Sequence, residues 1–204
     1  PRSTFSPLSL TTVPSMRTPP PSTSRIASLP EGARLACLSS APMPSGAPES
    51  DTSGISSGMV QAGGDLMLFG SKSGQPFMAG VRDPRSAAPD DYFAVCPVVD
   101  HAFSTAGDYE RSFVKDGKRY HHILDPRTGY PSSGARSVTV YAKDATTADG
   151  LDDAILILGP VRGLQLIESI PDAGAIIVDA NNKVIISKRL QKLVRIVHPP
   201  TPGI

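Results

Sequence analysis

A change of texture near residue 53 sets how much of this 204-residue chain can build a core. Residues 1–50 hold 26 Ser, Thr or Pro, ten of the 21 prolines and no lysine. Each proline removes a backbone donor and biases the preceding residue against helix. The apolar clusters there are short, as at Leu35 to Leu38. Such a stretch buries too little surface to offset its ordering entropy. Residues 1–53 are therefore expected to be a Ser/Pro-rich, disordered or non-homologous segment. About 150 residues follow, enough for one core. Residues 54–198 are expected to form that domain, and 199–204 a frayed tail.

From Ile55 onward, short apolar runs alternate with turn signals. Leu66 to Gly70 and Pro76 to Arg82 read as strands around a turn at Lys72 to Gly74. Tyr92 to Val95 and Ala102 to Thr105 are further strands. Tyr109 to Val114 and Lys118 to Leu124 flank Asp116-Gly117, a pair favoured in tight hairpins. Ser137 to Ala142 alternates as a strand. Thr147 to Leu158 has helical periodicity and stops at Gly159-Pro160, and Arg162 to Ile170 reads as a second helix. Ala175 to Val178 and Val184 to Ser187 form a last hairpin. The order predicts an α+β fold, antiparallel strands with two helices packed on the sheet.

Charge and composition exclude several classes. Twenty basic against 19 acidic residues give a net charge of +1, which makes no electrostatic case for nucleic acid or an anionic membrane. No apolar run approaches the ~18 residues of a transmembrane helix. Two cysteines, Cys37 and Cys96, cannot make a disulfide framework or a four-cysteine zinc site. The chain opens at Pro1 with no basic start and apolar h-region, and so reads as a processed chain or a fragment.

Two segments carry chemistry. In the first helix Asp149, Asp152 and Asp153 stand at i, i+3 and i+4, which places them on one face, opposite Leu151, Ile155 and Leu158. Three carboxylates this close repel one another, and a hard cation such as Mg²⁺ relieves the repulsion. Acidic residues favoured by the dipole of a first helical turn are the competing explanation. The second segment is Tyr120 to Pro131. Strand alternation points His121 and His122 to opposite faces, one into a cleft and the other to solvent. An inward histidine can position or deprotonate a substrate hydroxyl, or it can be a buried ring bonded to backbone. No further Cys or His stands at a spacing that completes a zinc site. Gly63-Gly64-Asp65 and Gly107-Asp108-Tyr109 add two glycine turns, and neither is a phosphate-loop pattern.

In this order the clusters resemble the ApbE family of FAD:protein FMN transferases. The family's patterns run N-x-G-G-D, R-D-P, S-G-D-Y-E-R, H-x-I-D-P-x-T-G-x-P and D-A-T-x-A-D-[AG]-x-x-T. This chain has Ala62-Gly63-Gly64-Asp65, Arg82-Asp83-Pro84, and Ala106-Gly107-Asp108-Tyr109-Glu110-Arg111. It continues with His122-Ile123-Leu124-Asp125-Pro126-Arg127-Thr128-Gly129-Tyr130-Pro131 and Asp144-Ala145-Thr146-Thr147-Ala148-Asp149. The match runs from about Gly54 to Lys188. Two features depart from the family: Asp153 stands where its pattern has Thr, and the Gly-rich segment that precedes its Gly-Gly-Asp strand is not found here.

The resemblance implies FAD as substrate, Mg²⁺ as cofactor, and transfer of FMN to a Thr or Ser hydroxyl of an acceptor protein with release of AMP. It implies Asp149 and Asp153 as metal ligands, with Asp152 a third. His122 would orient or deprotonate the acceptor hydroxyl. Gly63, Gly64, Asp65, Gly107, Asp108, Tyr109, Ile123, Asp125 and Thr128 would surround the flavin. The family is commonly exported and anchored on the periplasmic side in bacteria. Two alternatives stand beside the enzyme: a truncated, catalytically impaired remnant, and a flavin-binding module without transfer activity.

Overall fold

The computed structural model describes residues 26–28, 33–39 and 55–203. An eight-stranded antiparallel sheet forms the middle layer. Its strands are β1 (Ile26–Ser28), β2 (Ala33–Ser39), β3 (Ser57–Ala62), β4 (Asp65–Phe69), β7 (His101–Gly107), β10 (Ala135–Ala142), β11 (Gly174–Asp179) and β12 (Val184–Ile186), in that spatial order. A second sheet joins β5 (Phe77–Arg82), β6 (Tyr92–Val98) and β13 (Arg195–Ile196). β8 (Ser112–Lys115) and β9 (Lys118–His121) make a separate hairpin.

The central strands explain the layering. Along β10, Val138, Val140 and Ala142 face the helix, while Tyr141 joins the opposite core. On β11, Ala175 and Ile177 point one way and Ile176 and Val178 the other. Strands apolar on both faces must be covered on both. The helix α1 (Ala145–Glu168) covers one side through Ala148, Ile155, Leu156 and Ile167. The three-stranded sheet covers the other through Phe77, Val81, Phe93 and Val98.

Four sequence expectations are corrected. There is one helical element rather than two. Gly159 takes φ 78° and ψ 172°, a conformation open to glycine, and Pro160 follows, yet the helix resumes at once with no intervening loop. The strands around Lys72 to Gly74 do not pair with each other. β4 pairs with β3 and β7 and β5 with β6, so the turn passes the chain between sheets. The hydroxyl- and glycine-bearing β3 carried too weak a strand pattern to be read as one. The expected frayed tail is tied down: Thr201 donates through its N–H and Oγ1 to Asp83 at 2.7 and 2.8 Å, and Asn182 donates to the Pro200 carbonyl at 2.6 Å. Apart from β1 and β2, residues 1–53 lie outside the described residues. No described helix is long and apolar enough to cross a membrane.

Candidate active site

Four elements converge on a cleft of about 660 Å³. The β3–β4 hairpin turns on two residues, Gly63 and Gly64, with Ala62 paired to Asp65 across it. Gly63 has φ 63°, a left-handed value that glycine tolerates at the tip of such a turn. The turn brings Gly63, Gly64 and Asp65 to the cleft wall. β7 ends in Gly107, and a Cβ there would overlap the Tyr109 ring, so glycine lets that ring lie against the backbone. Arg82 stacks on the same ring at 5.1 Å and bonds Glu110 at 3.2 Å. His122 and Ile123 enter from the end of β9, and α1 contributes Asp149, Asp152 and Asp153.

The three aspartates do not share one open face. Asp149 and Asp153 are exposed, whereas Asp152 is 2% exposed and packs inward with Ala148, Ile155 and Leu156. Ile155 is buried as expected, but the rest of the buried stripe of α1 runs through Ala148, Asp152 and Leu156, with Leu151 and Leu158 half-buried. The dipole explanation fails too. α1 begins at Ala145 behind an Asp144 cap that accepts from the Thr147 N–H at 2.8 Å, which puts Asp149 beyond the first turn.

Asp152 is held by short contacts. Its carboxyl lies 2.6 Å from Ser104 Oγ, and the same hydroxyl lies 2.5 Å from Asp65 Oδ1. Ser104 thus ties Asp65 to Asp152 through its single hydroxyl. Burial pushes the Asp152 pKa up to about 7, opposed by the Ser104 hydrogen bond and helped by the neighbouring Asp153 and Asp149 carboxylates. Burial also raises the Asp153 pKa, Asp149 adds to that, and His122 opposes it. The two open carboxylates and the histidine thus act on one another electrostatically.

Other expected site residues fall elsewhere. Asp108 is buried and gripped by Arg85 through two hydrogen bonds of 2.7 Å, turned away from the cleft. Asp125 and Thr128 line a neighbouring depression. Of the two histidines, His121 is the buried ring, its Nε2 2.8 Å from the Ser132 carbonyl, and His122 is the exposed one at the cleft. Tyr92 and Asp90 line the cleft without having been read as site residues. Tyr92 opens β6, and the loop that carries Asp90 is held by the Arg-Asp-Pro motif, whose Asp83 accepts from the N–H groups of Arg85 and Thr201. Among the described residues, one group of three His, Cys, Asp or Glu ligand atoms lies within 4.8 Å: Asp83, Asp91 and His198. Its atoms are engaged in hydrogen bonds to Arg85, Thr201 and Pro199 and to one another.

The pattern described as the ApbE family matches residues 49–177. The chain belongs to the ApbE family. Among its ApbE relatives, the FAD:protein FMN transferase of Treponema pallidum is 33% identical over 153 residues, covering 70% of this chain and 42% of that protein. The crystal structure of the ApbE protein of Thermotoga maritima superposes with a TM-score of 0.61 at 42% identity, over 68% of this chain and 45% of that one. The flavin transferase ApbE of Vibrio cholerae gives a TM-score of 0.57 at 29% identity, over 69% and 45%. The chain thus spans less than half the length of these relatives.

Proposed function

We propose that this chain transfers FMN from FAD to a Thr or Ser hydroxyl of an acceptor protein and releases AMP. One observation carries the reading: His122 and the open carboxylates Asp149 and Asp153, distant in sequence, line the same cleft. The donor set suits a hard cation, since it offers only carboxylate oxygens. Asp149 and Asp153 would hold Mg²⁺, and when bound it would neutralise charge developing on the pyrophosphate.

The chain's own residues do the rest. The acceptor oxygen attacks the FMN phosphorus, and the P–O bond to AMP breaks. AMP leaves with the bridging oxygen. His122 orients the hydroxyl and takes its proton. The Gly63-Gly64 turn and the Tyr109 ring lying on Gly107 give the flavin a close-fitting wall. Asp152, buried and tied to Ser104, fixes how α1 presents Asp149 and Asp153.

A second reading, a flavin-binding fold without turnover, is favoured by the inward commitment of Asp152, which leaves two carboxylates for the cation. The two separate on AMP release. With FAD, Mg²⁺ and a threonine-bearing peptide, the transferase releases AMP, and His122→Ala slows it about 10²- to 10⁴-fold. Bound FAD with no AMP in the wild type supports the second reading.

A further inference from the structure

Tyr92 lines the cleft at the start of β6 and is 42% exposed. Its ring is nevertheless seated by the backbone beneath it. A Cβ at Gly80 would come within 2.5 to 2.8 Å of three of its carbons, so a glycine is needed for the ring to rest there. The β5–β6 register also slips by one residue at this point. Val81 pairs with Ala94 and Arg82 with Tyr92, which leaves Phe93 as the extra residue. Such a bulge re-aims the side chains beside it. Phe93 turns into the core and Tyr92 into the cleft.

One side of the Tyr92 ring is thus covered by Gly80 and the other is open. Among the described residues no aromatic ring or cation lies on it, whereas Tyr109 already carries Arg82 at 5.1 Å. Arg82 joins the two tyrosines, since it is the register partner of Tyr92 and stacks on Tyr109. Tyr92 therefore adjoins the Gly107–Tyr109 wall. α1, which carries the open carboxylates, covers the other face of the large sheet from β5 and β6. An open aromatic face gains most from a second flat ring laid on it with an offset.

FAD carries its two ring systems at opposite ends of the pyrophosphate. With the pyrophosphate at Asp149 and Asp153 and the flavin against Gly107 and Tyr109, the ring that reaches Tyr92 is the flavin. We propose that Tyr92 is a stacking platform for the isoalloxazine ring of FAD, and so a specificity-determining residue for the flavin end of the substrate. The inference rests on the transferase reading and adds to it a residue that lies outside the family's motifs.

The test is calorimetric titration of the full chain with FAD and with FMN, both in Mg²⁺, with melting temperature followed in parallel. Tyr92→Ala is expected to weaken FAD and FMN by the same factor, about 5- to 150-fold. Tyr92→Leu, which keeps bulk over Gly80 without an aromatic face, is expected to show the same loss at an unchanged melting temperature. Tyr92→Phe is expected to keep both affinities. Unchanged FMN affinity in Tyr92→Ala and Tyr92→Leu, or a loss confined to FAD, which would put the adenine end there, overturns the proposal. The transferase reading survives that result if FAD still yields AMP. Flavin binding that depends on Tyr92 without AMP release supports the platform and contradicts the transferase reading. A wild type that binds neither flavin overturns both.

Discussion

Arg85 and Asp108, 23 residues apart, lock together through two parallel hydrogen bonds of 2.7 Å, with side-chain exposures of 7% and 12%. The pair joins the loop after β5 to the turn after β7, two walls of the same cleft. Removing one partner strands the other charge in a buried place. Arg85→Met and Asp108→Asn are each expected to lower unfolding free energy by about 3–5 kcal/mol, read by denaturant titration. FAD affinity should fall with them, because the Gly107–Tyr109 wall loses its anchor.

Asp152 gives stability a pH slope. In the folded chain it keeps its proton to about pH 7, against an ordinary value of 3.8. The folded state therefore binds an extra proton between these values. Its contribution is complete below about pH 4 and is lost as pH rises through about 7. Melting temperature should fall across that window in the wild type. Asp152→Asn, neutral throughout, should flatten this part of the slope.

Much of this fold could be read from the chain because the signals are local. Asp116-Gly117 marks the β8–β9 hairpin, and the alternation of Ser137 to Ala142 marks β10. Partner choice is not local. Nothing between Leu66 and Arg82 says that the two strands belong to different sheets, since that follows from which core each apolar face meets. Of the residues the motifs single out, Gly63, Gly64, Asp65, Gly107, Tyr109, His122, Ile123, Asp149, Asp152 and Asp153 line the cleft. Asp125 and Thr128 line the neighbouring depression, Asp108 turns to Arg85, and the Asp152 carboxyl turns inward to Ser104. A carboxylate's direction depends on distant partners, here Arg85 and Ser104, that sequence spacing does not reveal.

Gly159 tests the helix break. Its φ of 78° with ψ 172° lies in a region essentially confined to glycine. Gly159→Ala should cost about 1–3 kcal/mol, read by thermal unfolding. An equal change at exposed Gly150, inside regular helix, should stabilise slightly.

The carboxy-terminal strap carries its own pH dependence. His198 Nδ1 lies 2.8 Å from the Pro199 carbonyl and Nε2 lies 3.0 Å from Asp91. Both nitrogens face acceptors, so both must donate, which the imidazolium does. The Pro199 carbonyl and then Asp91 raise its pKa above 6.5. The strap's contribution is present below that value and lost as pH rises through the raised one. Hydrogen exchange at the Val197 and Thr201 amides should quicken in that range, and His198→Gln should remove the pH dependence.

In the proposed function, Asp149 and Asp153 hold a cation that completes a flavin site beside His122. A calorimetric titration of the full chain with FAD, with and without Mg²⁺, tests it most directly. Binding should tighten at least about tenfold with Mg²⁺, and that gain should be lost in Asp149→Asn and Asp153→Asn while the fold persists. FAD affinity indifferent to Mg²⁺, or a Mg²⁺ gain that survives both substitutions, would contradict it.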